Sequence, residues 1–237
     1  MKYAVIAAGE GSRLANEGVE RPKPLVEVGG EKLIDRLVRI FMANGASEIV
    51  AICNEQMTSV EAHLRQLQQQ GRYPLRYVVK STPSSMHSMW ELSHWLGNAP
   101  FVLTTVDTIF REEEFSDYVS TFLRLADSGE ADGLMGVTDY IDDEKPLYVE
   151  TADGTMQITA FLDSTERPQY VSGGIYGLTS PSIDTLRRCV ERGESRMRNF
   201  QRALVADGLR LQAYAFTKVL DIDHASDIAK AEAFVSR

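Results

Sequence analysis

From Lys2 to Asp107, short apolar runs alternate with stretches whose apolar residues recur at helical spacing, and this rhythm constrains the fold most. Lys2–Ala8 (KYAVIAA) reads as a buried strand. Leu33, Ile34, Leu37, Val38 and Phe41 mark a helix that stops at Asn44-Gly45. Glu48–Cys53 (EIVAIC) reads as the next strand, and Val60, Leu64 and Leu67 mark the next helix. Leu75–Val79 is a third strand, a helix covers roughly Ser88–Leu96, and Phe101–Val106 is a fourth strand. Such alternation predicts right-handed βαβ crossovers and a mostly parallel sheet covered on both faces.

After about Ala131 the rhythm changes. Leu134–Thr138, Leu147–Thr151, Met156–Phe161 and Tyr170–Leu178 come close together, with an Asp153-Gly154 turn between the middle pair, which favours antiparallel pairing. Helices near Pro181–Glu191 and Met197–Ala206 follow, then a strand over Leu209–Phe216 and a helix over Ala225–Val235. With no internal repeat, low-complexity tract or linker, residues 1–237 read as one domain, long enough to bury its own core.

Composition removes several function classes. A net charge of −9 argues against nucleic-acid or anionic-membrane partners, which need a broad basic surface. It leaves room for a small anionic ligand, which needs only local cations or a metal. Cys53 and Cys189 are too few for a disulfide framework and suit a reducing compartment. Tyr3–Ala8 is too short for a secretory or membrane segment, so a cytoplasmic location is expected.

Directly behind the first strand stands "AAGEGSRL", Ala7–Leu14. In an open α/β sheet, ligands bind beyond the carboxyl ends of the strands. Gly9 and Gly11 let the backbone turn and bring N–H groups near an anion, although such a turn can equally be only structural. A dinucleotide fingerprint fails here: Leu14 stands where its third glycine would be, and Asn54 where its ribose-binding acid would be. A P-loop fails for want of Gly-Lys-Ser/Thr. The next stretch, "RPKPLVEVGGEKLIDRLV", sets Lys23 between two prolines that stiffen the backbone. Arg13 and Lys23 together, on the ligand-binding edge, read as phosphate clamps.

Gly9-x-Gly11-x-Arg13-Leu14, then Pro22-Lys23-Pro24-Leu25 and a Gly29-Gly30 turn into a helix, resembles the sugar nucleotidyltransferase superfamily. The resemblance continues in order through "FVLTTVDTIF", "VSGGIYGL" and "VLDIDHASDIAKAEAF". It implies a Rossmann-like, three-layer α/β/α domain with a mixed, mostly parallel sheet and a small antiparallel insertion. Residues from about 1 to 130 would bind the nucleotide, and those from about 131 to 237 the acceptor. It implies transfer of a nucleoside monophosphate from a nucleoside triphosphate to a sugar 1-phosphate or other small phosphate ester, with Mg²⁺ as cofactor. Ala7, Ala8, Gly9, Gly11, Ser12, Arg13, Lys23 and Ser85 would bind the nucleotide, with Arg13 and Lys23 catalytic. Asp107, Asp221 and Asp223 would hold the metal, and Lys145, Gly173 and Gly174 would meet the acceptor. A homo-oligomer is left open.

Chemistry supports these residue types independently. The forked Arg13 suits the departing β- and γ-phosphates, and Lys23, a compact charge, the α-phosphate. Mg²⁺ takes one or two carboxylates with phosphate and water oxygens. The attacking phosphate is already largely ionised near neutral pH, so no general base is required, and His87 reads equally as a polar residue at a helix start. Asp221 and Asp223 are two apart, so an extended chain turns both to one side; Asp227 reads as a first-turn helix acid.

Two departures leave the acceptor open. Sugar-activating members often carry Glu-Lys-Pro where this chain has "LDSTERPQ"; its own Glu144-Lys145-Pro146 lies earlier, in "DYIDDEKP", where a solvated hairpin lysine is equally consistent. The base-reading segment "TPSSMHSMWEL" is more similar to that of cytidylyltransferases acting on phosphocholine-like acceptors. Few residues follow the last helix, so the β-helix extension of some members is not expected. A cytidylyltransferase for phosphocholine or a similar phosphoalcohol is therefore the alternative within the class. A non-catalytic nucleotide-sensing module is the alternative outside it.

Overall fold

The computed structural model describes residues 1–236. β1 (Lys2–Ala7) leads through the glycine loop to a short helix, α1 (Ser12–Asn16), a 3₁₀ turn over Lys23–Leu25, and a ribbon of β2 (Glu27–Val28) and β3 (Glu31–Lys32). α2 (Leu33–Ala43), β4 (Glu48–Cys53), α3 (Thr58–Gln69), β5 (Leu75–Val79), α4 (Ser85–Leu96) and β6 (Phe101–Thr105) continue the alternation. β7 (Thr108–Ile109) and α5 (Glu112–Asp127) follow, then β8 (Gly133–Thr138), β9 (Tyr148–Thr151), β10 (Ile158–Leu162) and β11 (Tyr170–Leu178). The chain continues through α6 (Pro181–Glu191), α7 (Met197–Ala206), β12 (Leu211–Phe216), β13 (Leu220–Asp221) and α8 (Ala225–Val235).

The main sheet runs β10-β9-β11-β6-β1-β4-β5, with β8 also paired to β11 and β12 to β8. β1, β4, β5 and β6 are mutually parallel, whereas β11 is antiparallel to β6, β8 and β9. Since β12 is parallel to β8 and β10 antiparallel to β9, only β10 and β11 run against the common direction. The sheet is therefore mixed and mostly parallel, with β9 and β10 as the antiparallel insertion.

Side chains alternate across β1 and show why there are three layers. Tyr3, Val5 and Ala7 face the cluster built with α2, α3, α5 and α8. Ala4 and Ile6 face the opposite cluster, built with α4, α6 and α7. Fully burying one such Leu, Ile or Phe side chain contributes about 1.5–3 kcal/mol, and both clusters contain many.

α5 lies in a stretch for which the sequence reading named no element. Its buried Phe115, Tyr118, Val119, Phe122 and Leu125 keep helical spacing, so the signal was present. Gly177 makes room for that helix: a Cβ there would lie 2.8 Å from both Phe122 Cγ and Tyr118 Oη. α4 begins earlier than expected because Ser84 caps it, its hydroxyl accepting from the His87 N–H. The strand expected from Leu209 starts at Leu211, after Arg210 is tied to Asp132. β2, β3, β7 and β13 have two residues each, too short for periodicity to mark.

Candidate active site

β6 ends just before Asp107, at the carboxyl edge of the sheet. There β7 pairs antiparallel with β13, setting Thr108 opposite Asp221, while the Ile222 N–H donates to the Asp107 carbonyl at 3.3 Å. Ile222 is fully buried, so Asp221 and Asp223 turn together into the cleft, as their spacing predicted. Opposite them, the 3₁₀ turn between Pro22 and Pro24 carries Lys23, only 9% exposed. Its Nζ donates to Asp107 Oδ2 at 2.7 Å and to Asp223 Oδ1 at 2.8 Å. Arg13, on α1, donates from Nη1 to Asp223 Oδ2 at 3.0 Å. One carboxylate thus joins both cations predicted to clamp phosphate.

Burial by itself would lower the Lys23 pKa, but Asp107 and Asp223 outweigh it and raise the value, so the ammonium is charged at neutral pH. For Asp223, burial pushes upward, while Lys23, Arg13 and His224 pull harder and hold the carboxyl below its usual range. Asp221 goes the other way. Its side chain opens into the cleft yet is ringed by protein, and that enclosure, with Asp107 and Asp223 facing it, raises its carboxyl well above the usual range. Such a carboxylate gains most from a cation placed beside it.

Two hollows flank this polar bridge. One, of about 440 Å³, is lined by Ala8, Gly9, Lys23, Ser84, Ser85 and Asp107 among others. The other, of about 250 Å³, is lined by Arg13, Tyr140, Ser172, Gly173, Asp221 and Asp223 among others. The Lys23–Asp223 contact crosses between them. Gly173 and Gly174 form a bulge in β11, where its register with β8 shifts between Ser172 and Ile175. Gly174 has φ +71°, and a Cβ on it would meet Thr108 Oγ1 at 3.0 Å, so the bulge seats closely against β7.

Several expected residues lie elsewhere. Ala7 is fully buried at the end of β1, behind the loop. Gly11 and Ser12 face a separate hollow with Arg21 and Asn54. Arg13 borders the hollow of Asp221, across from the glycine loop where departing phosphates were expected. Lys145 is exposed and lines neither hollow; its loop contributes Asp142, Asp143 and Glu144 instead. Sequence reasoning did not anticipate these acids or Lys230, which pairs with Asp142 at 2.8 Å and Asp227 at 3.1 Å. Asp227 does cap α8, but its Oδ2 also accepts from the Asp223 N–H at 3.2 Å and so steadies the site. The acidic run "DYIDDEKP" was the available signal for the first three; nothing local marks Lys230.

The nucleotidyl transferase family profile matches residues 2–237. The chain belongs to the nucleotidyl transferase family. This nucleotidyl transferase is 31% identical over 111 residues to the N-acetylmuramate alpha-1-phosphate uridylyltransferase of Caulobacter vibrioides, covering 46% of each chain. It is 27% identical over 247 residues to the bifunctional IPC transferase and DIPP synthase of Rubrobacter xylanophilus, covering 98% of this chain and 51% of that one. The matches span from 21% to 51% of the curated relatives' lengths. Its fold matches a Bacillus anthracis protein assigned as a glucose-1-phosphate thymidylyltransferase, with TM-score 0.84, 19% identity, and 99% and 94% of the two chains covered.

Proposed function

We propose that this nucleotidyl transferase moves a nucleoside monophosphate from a nucleoside triphosphate to a sugar 1-phosphate, releasing pyrophosphate, with Mg²⁺ as cofactor. The observation that carries the reading is the Lys23–Asp223–Arg13 bridge on the wall between two hollows. A transfer between two phosphorylated substrates needs cations at that junction, where both anions converge.

The triphosphate lies on the Gly9 side and the acceptor on the Gly173 side. An acceptor phosphate oxygen attacks the α-phosphorus; that P–O bond forms as the bond to the β-phosphate oxygen breaks, and pyrophosphate leaves with the electron pair. Lys23 donates to the α-phosphate, where charge builds, and Arg13 screens the incoming phosphate. Asp223 holds both cations in place and so preorganises them. The donor set fits Mg²⁺: Asp107, just before β7, and Asp221, opposite Thr108 on β13, offer hard oxygens at one edge of the cleft, and Asp223 joins them only by releasing a cation. Bound Mg²⁺ supplies charge neutralisation for the phosphates. Among the described residues, no group of three or more His, Cys, Asp or Glu side chains is placed to hold a metal ion, so phosphate and water oxygens would have to complete the shell.

A cationic phosphoalcohol such as phosphocholine is the second reading, favoured by Asp142, Asp143 and Glu144 on the acceptor-side hollow. Pyrophosphate release measured for four nucleoside triphosphates against sugar 1-phosphates and phosphocholine tests both. Turnover with a sugar 1-phosphate supports the first, turnover with phosphocholine alone the second, and none with any pair removes both. No helix among the described residues is long and apolar enough to cross a membrane.

A further inference from the structure

We propose that Glu17 is a positioning residue, a buckle that fixes Arg13 relative to Asp223; the proposal rests on the transfer reaction described above. Glu17 lies one turn beyond Arg13, its N–H donating to the Arg13 carbonyl at 3.1 Å. Its carboxylate reaches across more than two hundred residues to the start of α8. Oε2 accepts from the Ala225 N–H at 2.6 Å, and Oε1 meets His224 Nδ1 at 2.6 Å. His224 directly follows Asp223. The two ends of the Arg13–Asp223 contact are therefore each flanked by one end of a second, two-pronged contact.

α1 needs such a fastening. It has five residues, and helices this short do not hold themselves in water. Of its side chains only Leu14 is buried in the core, and a single anchor resists a pivot of the helix weakly. The Glu17 prongs restrict that pivot and set the reach of Arg13. On the other side, Asp227 Oδ2 accepts from the N–H groups of Asp223 and His224, so the segment Glu17 grips is itself held.

Both partners are well exposed, at 40% and 38% for the side chains, and exposed ion pairs add little to stability. Removing Glu17 should therefore lower the rate with little loss of stability. Misplacing a catalytic cation by an ångström costs up to about 100-fold. Glu17→Ala should lower kcat by roughly 10- to 100-fold, with both KM values within about threefold and Tm within about 4 °C. Glu17→Gln keeps an acceptor for Ala225 and a donor for the ring nitrogen, so it should restore most of the rate.

The deciding experiment places Glu17→Ala in an Arg13→Ala background. If Glu17 acts through Arg13, the second substitution lowers kcat by no more than about twofold; a helix cap with no part in positioning gives the full, additive loss. Hydrogen exchange keeps the test independent of activity. In Glu17→Ala, the amides of α1 and of Ala225 should exchange faster, and unchanged exchange in α1 overturns the buckle. A wild-type protein that released no pyrophosphate would overturn the proposed reaction, whereas the buckle is judged by the exchange data.

Discussion

Gly174→Ala probes the seat of the β11 bulge against β7, which follows Asp107 and pairs with the strand of Asp221. Two costs can be separated. Gly174 has φ +71°, where an L side chain is disfavoured by about 1–2 kcal/mol; stiffening of the unfolded chain returns part of that. The new Cβ would also lie 3.0 Å from Thr108 Oγ1, which is fixed by a 2.6 Å hydrogen bond to Thr105 Oγ1. Relieving such overpacking costs about 1–3 kcal/mol. Gly154→Ala isolates the first cost, since Gly154 also has φ +71° but nothing within 4 Å of a Cβ. The expectation is a loss of about 1 kcal/mol for Gly154→Ala and about 2–4 kcal/mol for Gly174→Ala, or roughly 2–4 °C and 5–15 °C in Tm. Thr108 pairs with Asp221 and follows Asp107, so only Gly174→Ala should also lower kcat/KM. Thermal melts and pyrophosphate release on the same samples check both. Equal Tm shifts and equal activity in the two variants would refute the contact argument.

Lys23→Ala should lower kcat by about 10²- to 10³-fold in a steady-state assay, since one preorganised donor at developing charge contributes roughly 2.7–4 kcal/mol. Asp107→Asn and Asp221→Ala should each weaken Mg²⁺-dependent turnover with the fold intact, read by metal titration alongside circular dichroism. Acid should destabilise the protein through Asp132, whose carboxyl is held below its usual range by Arg210. Because the folded pKa is depressed, this stabilisation is present above the unfolded value of about 3.9 and is lost as pH falls through the folded one. Denaturant midpoints at pH 6 and pH 3 should therefore converge for Asp132→Asn and wild type at the lower pH.

Much of this was legible because local pattern and tertiary environment agree. β11, α6, α7 and α8 fall on the expected residues, each marked by apolar spacing with glycine, proline or polar punctuation at its ends. Asp221 and Asp223 share a side because Ile222 is a core residue, which strand alternation alone could suggest. What local pattern cannot encode is the contact between distant segments. Lys23 and Asp223 are 200 positions apart, and nothing near either says that one ammonium will sit between Asp107 and Asp223. Arg13 was assigned to the triphosphate from the loop it follows, yet α1 turns it toward the hollow lined by Asp221 and Gly173. Lys145 belonged to an attractive tripeptide, but the acids around it, not the lysine, line that hollow.

In the proposed reaction the α–β phosphate bond is cut at the junction of the two hollows. Nucleoside triphosphate labelled at the α-phosphate, incubated with a sugar 1-phosphate and Mg²⁺, tests it most directly. Label is expected to pass into a nucleoside diphosphate sugar while γ-label leaves as pyrophosphate, and Lys23→Ala to suppress both. Label left in the triphosphate, or γ-label released as orthophosphate, would contradict it.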